Sequence, residues 1–220
     1  MPRYSSSSWR SFQPGVTPVG AVARADDKRV QTSANCRILG LDPGSLRTGY
    51  GIIDCNQVGE SHVASGCINV GGRDFLLRLR LIFDAVAALI ETHHPDEIAI
   101  ERVFVHRNPD SALKLGQARG AAICAAVGLG ASPHEYAPRA IKVAVVGYGA
   151  AEKPQVAQMV TSLLKLKHKP VADAADALAA ALCHAHTRRL AAMMAAAALP
   201  SARVAARPSA QAGSRAGVLA

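Results

Sequence analysis

Ile38-Leu39-Gly40-Leu41-Asp42-Pro43-Gly44-Ser45, followed after Leu46-Arg47 by Thr48-Gly49-Tyr50-Gly51-Ile52-Ile53-Asp54-Cys55, decides the architecture of this chain. Arg37–Leu41 and Gly49–Cys55 are apolar runs of strand length around a loop whose Pro and Gly force a sharp reversal. Ser61–Val70 reads as a third strand entering a turn at Gly71–Gly72. Two tight reversals in succession make an antiparallel meander.

Beyond the meander the period changes. From Asp74 to Thr92 leucines, Ile82, Phe83, Val86 and Ile90 recur at helical spacing, Pro95 closes the helix, and Glu97–Glu101 is a short buried strand. Asp110 or Ser111 caps a helix running to about Val127, and His134–Ala137 is a brief strand. Helices are expected at about Arg139–Val146, Ala151–Lys165 and Val171–Met194. A three-strand antiparallel meander extended by βαβ elements gives a mixed sheet flanked by helices, which is the α/β order of the ribonuclease H-like fold.

The chain has 220 residues, half of them apolar, which is enough for one core with extensions. The longest apolar run, within Ala191–Pro200, is short and alanine-rich, so no membrane-spanning helix is expected. Five cysteines, odd in number and without a C-x-x-C pair, argue against a disulfide framework or a cysteine zinc site and fit a reducing cytoplasm. We divide the chain into a basic head at 1–36, expected to be disordered, a domain of ribonuclease H-like fold at 37–190, and an Ala/Arg-rich tail at 191–220, also expected to be disordered.

The net charge of +9 lies mostly in the ends: residues 1–36 carry +3 and residues 187–220 carry +5. Within the central segment, residues 137–170 hold Arg139, Lys142, Lys153, Lys165, Lys167 and Lys169 against Glu152 alone. That stripe suits a phosphate backbone, although a solvated lysine-rich surface has the same composition.

Four carboxylates stand where strands end or a helix begins. Asp42 tips the first strand ahead of Pro43-Gly44, and Glu101 closes Ile98-Ala99-Ile100-Glu101. Asp173 and Asp176, three apart in Ala172-Asp173-Ala174-Ala175-Asp176-Ala177, share a helix face. Each alone also reads as a turn former, a strand-edge charge or a helix-dipole partner. Converging, they would make a cluster of charge −4 whose carboxyl pKa values rise unless cations occupy it, and hard oxygen donors at fixed strand and helix ends suit Mg²⁺.

These strings, together with Asp110-Ser111-Ala112-Leu113-Lys114-Leu115-Gly116-Gln117-Ala118-Arg119-Gly120 and Asp173-Ala174-Ala175-Asp176-Ala177, resemble the RuvC family of Holliday-junction resolvases, in sequence and in order, over roughly Arg37 to His186. The resemblance implies a homodimer that makes paired symmetric nicks in a four-way DNA junction during recombination and repair. It implies a catalytic, metal-binding set of Asp42, Glu101, Asp173 and Asp176, with two Mg²⁺ per site and Mn²⁺ able to substitute. Lys153 matches a lysine that the family places near the scissile phosphate, and Lys142 matches another basic position; with Arg139 and Phe104 they form the expected DNA contacts. Phe104, in the segment leaving the strand of Glu101, is read as a stacking face for unpaired bases. The implied partner is the RuvA–RuvB branch-migration complex and the implied location is the cytoplasm, at the nucleoid. A ribonuclease H acting on RNA–DNA hybrids and a non-catalytic junction-binding protein are the alternatives.

Some features cut across this reading. Pro154 directly follows Lys153 and would displace it, and Arg102 beside Glu101 is sent to the opposite sheet face by strand alternation. His184 and His186, two apart on a helix, point to different sides, which assigns them to packing or surface rather than to a metal. Gly116 and Gly120, with Cys124, would let another helix approach closely, from the same chain or from a dimer mate. The head is expected to be dispensable: deleting residues 1–34 leaves folding and cleavage intact, and a shorter natural product would begin at a non-methionine codon, with Val30 the candidate.

Overall fold

The structure is a computed structural model that describes residues 35–102, 109–131 and 133–198. Strands β1 (Cys36–Asp42), β2 (Arg47–Cys55) and β3 (Glu60–Asn69) form the expected meander. Helix α1 (Phe75–His93) leads to β4 (Glu97–Glu101), α2 (Pro109–Gly128) to β5 (Pro133–Tyr136), and α3 (Pro138–Val146), α4 (Lys153–Leu163) and α5 (Ala172–Ala198) complete the described chain. The sheet order is β3-β2-β1-β4-β5, antiparallel within the meander and parallel at β1–β4 and β4–β5.

Strand alternation sorts the central sheet into two cores. Ile38 and Ala99 face α3, α4 and α5, packing with Leu178, Leu182, Val156 and Val160. Leu39, Leu41, Ile98 and Ile100 face the other way, onto Ile82 and Val86 of α1 and the buried alanines of α2. β1 and β4 are therefore apolar on both faces, as strands covered by helices on each side must be.

The helix ends follow local chemistry. Asp74 caps α1 by accepting from Leu76 N at 3.0 Å, and His94 closes it in the left-handed region at φ 47° just before Pro95. Glu152 and Gln155 form a reciprocal capping box at α4, with Glu152 N donating to Gln155 Oε1 at 2.8 Å. Most boundaries fall within two residues of expectation, and two differences change an assignment. The first helical residue of α2 is Pro109, so Asp110 and Ser111 lie within its first turn rather than capping it. α5 runs on to Ala198, past the helix end expected at about Met194 and into the stretch assigned above to a disordered tail: alanine has the strongest helix propensity and sustains these mostly exposed turns. Residues 1–34 and 199–220 lie outside the described residues, as does Phe104.

α5 lies unusually close to the sheet. A Cβ on Gly40 would sit 2.0 Å from Ala177 O, and one on Gly49 would sit 1.9 Å from Asp173 O. Gly40 pairs with Gly51 and Asp42 with Gly49, so the bare backbone of β1 and β2 forms a trough for the helix. Glycine is required there because any side chain would lift α5 off the sheet. Among the described residues no helix is long and apolar enough to cross a membrane, and all five cysteines are free thiols.

Candidate active site

The parallel register pairs Leu41 with Ile100, which sets Asp42 and Glu101 side by side at the carboxyl ends of β1 and β4. The loop after Asp42 is tied down by the buried Thr48, whose hydroxyl donates to Gly44 O at 3.3 Å, and by Val70 N donating to Leu46 O at 3.0 Å. From above, the Gly49 contact brings the first two turns of α5 onto the same edge, carrying Asp173 and Asp176. Four acids from three distant stretches of the sequence thus meet at one end of the sheet.

Their electrostatics show the crowding. Burial, reinforced by the charges of Asp176 and Asp173, pushes the Asp42 carboxyl up to about 6. Burial and the charges of Asp42 and Asp176 push Glu101 up to about 7, against the pull of Lys153 and Lys142. Lys153, the first residue of α4, reaches Asp176 with Nζ 2.5 Å from Oδ2, and that hydrogen bond holds its ammonium above the ordinary lysine value. Pro154 therefore does not remove Lys153 from the cluster: as the second helical residue it needs no backbone donor and leaves the capping box intact.

Among the described residues, no three of these carboxylates bring oxygens within 4.8 Å of one another. A cluster of four hard oxygen donors, two of them held toward protonation by burial and by their neighbours, fits divalent cations of the Mg²⁺ type.

The other predicted positions divide. Lys142 on α3 is half-buried and near enough to Glu101 to draw its pKa down, whereas Arg139, exposed in the first turn of α3, runs its side chain along Gly149. Arg102 faces away from the cluster, its Nε 3.5 Å from Glu135 Oε2, as alternation required. Gly116 and Gly120 meet nothing within 4 Å of an added Cβ, so no helix of the described chain uses that face. Unforeseen was Cys67 of β3, opposite Gly49 in the sheet, whose thiol donates to Asp173 Oδ2 at 3.4 Å. Burial and Asp173 push that thiol up, so it stays a donor.

A ribonuclease H-like mixed sheet with acids gathered at the ends of β1 and β4 and the start of α5 is the architecture of a nuclease. A family model described as crossover junction endodeoxyribonuclease RuvC matches residues 38–184, and the chain belongs to that family. The crossover junction endodeoxyribonuclease RuvC of Marinobacter nauticus is 58% identical over 149 residues, spanning 68% of this chain and 85% of that protein. That of Alkalilimnicola ehrlichii is 55% identical over 150 residues, spanning 68% and 91%. Among solved structures, T. thermophilus RuvC in complex with Holliday junction substrate is similar with a TM-score of 0.67 and 31% identity, over 71% of this chain and 96% of that one.

Proposed function

We propose that this chain resolves four-way DNA junctions by paired nicks in two opposing strands, with Asp42, Glu101, Asp173 and Asp176 as its catalytic set. The observation that carries the reading is the meeting of these four acids and Lys153 at one sheet edge, in a chain of the RuvC family. Two Mg²⁺ per site, with Mn²⁺ able to substitute, would be held by the four carboxylates and supply a water that ionises near neutral pH and charge stabilisation for the departing 3′-oxygen.

The chain's own groups do the rest. Asp42 and Glu101 are fixed by strand backbone, so their positions cost no reorganisation during reaction. Asp176 orients Lys153, whose side chain is 76% exposed and so has its remaining ammonium hydrogens open to a phosphate oxygen. Lys142 and Arg139 extend the positive surface along α3, and Phe104 is proposed to stack on an unpaired base. The products would carry a 5′-phosphate and a 3′-hydroxyl.

A four-way junction offers two equivalent strands, which a two-fold dimer would meet with two equivalent sites. The outer face of α2, with Gly116 unopposed and Leu113 62% exposed, is a surface on which a second copy fits. Work with a RuvA–RuvB branch-migration complex, in the cytoplasm at the nucleoid, completes the proposal.

The test incubates the full chain with a synthetic junction, a matched linear duplex and an RNA–DNA hybrid, with and without Mg²⁺, and maps the nicks. Symmetric nicks in the junction alone, dependent on Mg²⁺, are expected. Cutting of the hybrid would assign a ribonuclease H, and binding without cutting would assign a junction-binding protein.

A further inference from the structure

At the far end of the same sheet face lies a second cluster. Glu97 opens β4, four residues before Glu101, and His184 lies on α5 eight residues beyond Asp176. His134 of β5 pairs with Ala99 and so faces the same side. The ligand atoms of Glu97, His134 and His184 all lie within 4.8 Å of one another, and among the described residues this is where three such side chains converge so closely.

We propose that Glu97, His134 and His184 form a site for a divalent transition metal of the zinc class, tying β4, β5 and α5 together at the end opposite the carboxylate cluster. The donor set is two imidazoles and one carboxylate, a zinc combination, with a fourth position left for water because His134 stands at the exposed edge. Mg²⁺ prefers oxygen ligands, so the two ends of the sheet discriminate between metals by donor type.

Outer contacts orient the ligands. Tyr136 Oη and His184 Nδ1 are 2.5 Å apart, which leaves Nε2 of the buried His184 directed at Glu97. The His134 and His184 rings lie 4.4 Å apart, centroid to centroid, tilted by 30°. Arg188 Nε stands 2.7 Å from Glu97 Oε2; a carboxylate with four lone-pair positions takes a guanidinium and a metal together, at some cost in affinity.

The experiment dialyses the full chain against Zn²⁺ in a large excess of Mg²⁺, which occupies the carboxylate cluster, and counts bound zinc. One zinc per chain is expected in the wild type and none in His134→Ala or Glu97→Gln. Co²⁺ should give the visible bands of a four-coordinate site in the wild type alone. Zinc at a hundredfold excess over Kd should raise the thermal midpoint by about 5–10 °C, an increment absent from His134→Ala. Mg²⁺-dependent junction cleavage should be unchanged in His134→Ala, whose metal-free melting also reports that it folds; His134→Gln serves if it does not. Zinc retained by both His134 variants, lost instead in Asp176→Asn, or bound by no form of the protein would overturn the proposal.

Discussion

Replacing Asp42 by Asn should abolish cleavage and, in the absence of divalent metal, make the protein more stable. Asp42 ionises at about 6 in the folded chain against 3.8 in the unfolded one. A folded pKa above the unfolded value means that the folded state holds the proton more tightly, so stability falls as pH rises from about 4 to about 6 and stays low above. At pH 8 the whole difference between the folded and unfolded values costs about 3 kcal/mol, and at pH 5 the cost is about half of that. Asn carries no charge at either pH, so Asp42→Asn recovers most of this, less the desolvation of its amide: about 1.5–3 kcal/mol at pH 8, or roughly 3–12 °C in melting midpoint. Calorimetric melting in EDTA at pH 5 and pH 8 reads the effect, beside junction cleavage in Mg²⁺. Equal gains at the two pH values, or a less stable variant at pH 8, would refute the view that crowded charge destabilises the metal-free site.

Glu101, pushed up to about 7, makes metal occupancy compete with protons, so cleavage at limiting Mg²⁺ should rise from pH 6 to pH 8 and flatten at saturating Mg²⁺, as a pH–rate series at two metal concentrations would report. Lys153→Met removes a positive charge that lowers both Asp42 and Glu101, so it should slow cleavage by one to two orders of magnitude and move the pH–rate midpoint upward, with junction affinity nearly unchanged by gel shift. Gly49→Ala would thrust a Cβ against Asp173 O and should cost about 1–3 kcal/mol in denaturant unfolding while also lowering cleavage. Lys142→Ala should reduce the salt slope of log junction affinity by about one, measured across a salt series.

The meander was legible because Asp42-Pro43-Gly44 and Gly71–Gly72 mark reversals with a defined mechanism, and the structure places β1, β2 and β3 within two residues of expectation. The βαβ half was legible from the change of period. Boundaries failed where composition and propensity conflict: the run 191–198 has too little large apolar surface to pack, yet alanine needs no packing to extend an existing helix.

The carboxylates could be named from sequence because each sits beside a strong punctuation signal, a strand end or a helix start. What brings them together could not, because it resides in residues without side chains: Gly40 and Gly49 matter for what approaches them, and their partners Ala177 and Asp173 lie more than a hundred residues away. The second cluster was hidden for a related reason. The sequence sets His184 beside His186, but spacing along one helix says nothing about what a sheet supplies from the other side. His186 in fact turns to Ala144 O, while His184 meets Glu97 and His134 across α5, β4 and β5. Local pattern thus identifies groups fixed by their own element, whereas sites assembled by packing between elements need the register. Here β4 and α5 each contribute to both ends of the sheet, Glu101 with Asp176 at one and Glu97 with His184 at the other. A change that slides α5 along its glycine trough would therefore disturb both sites together, while His134→Ala should disturb only one.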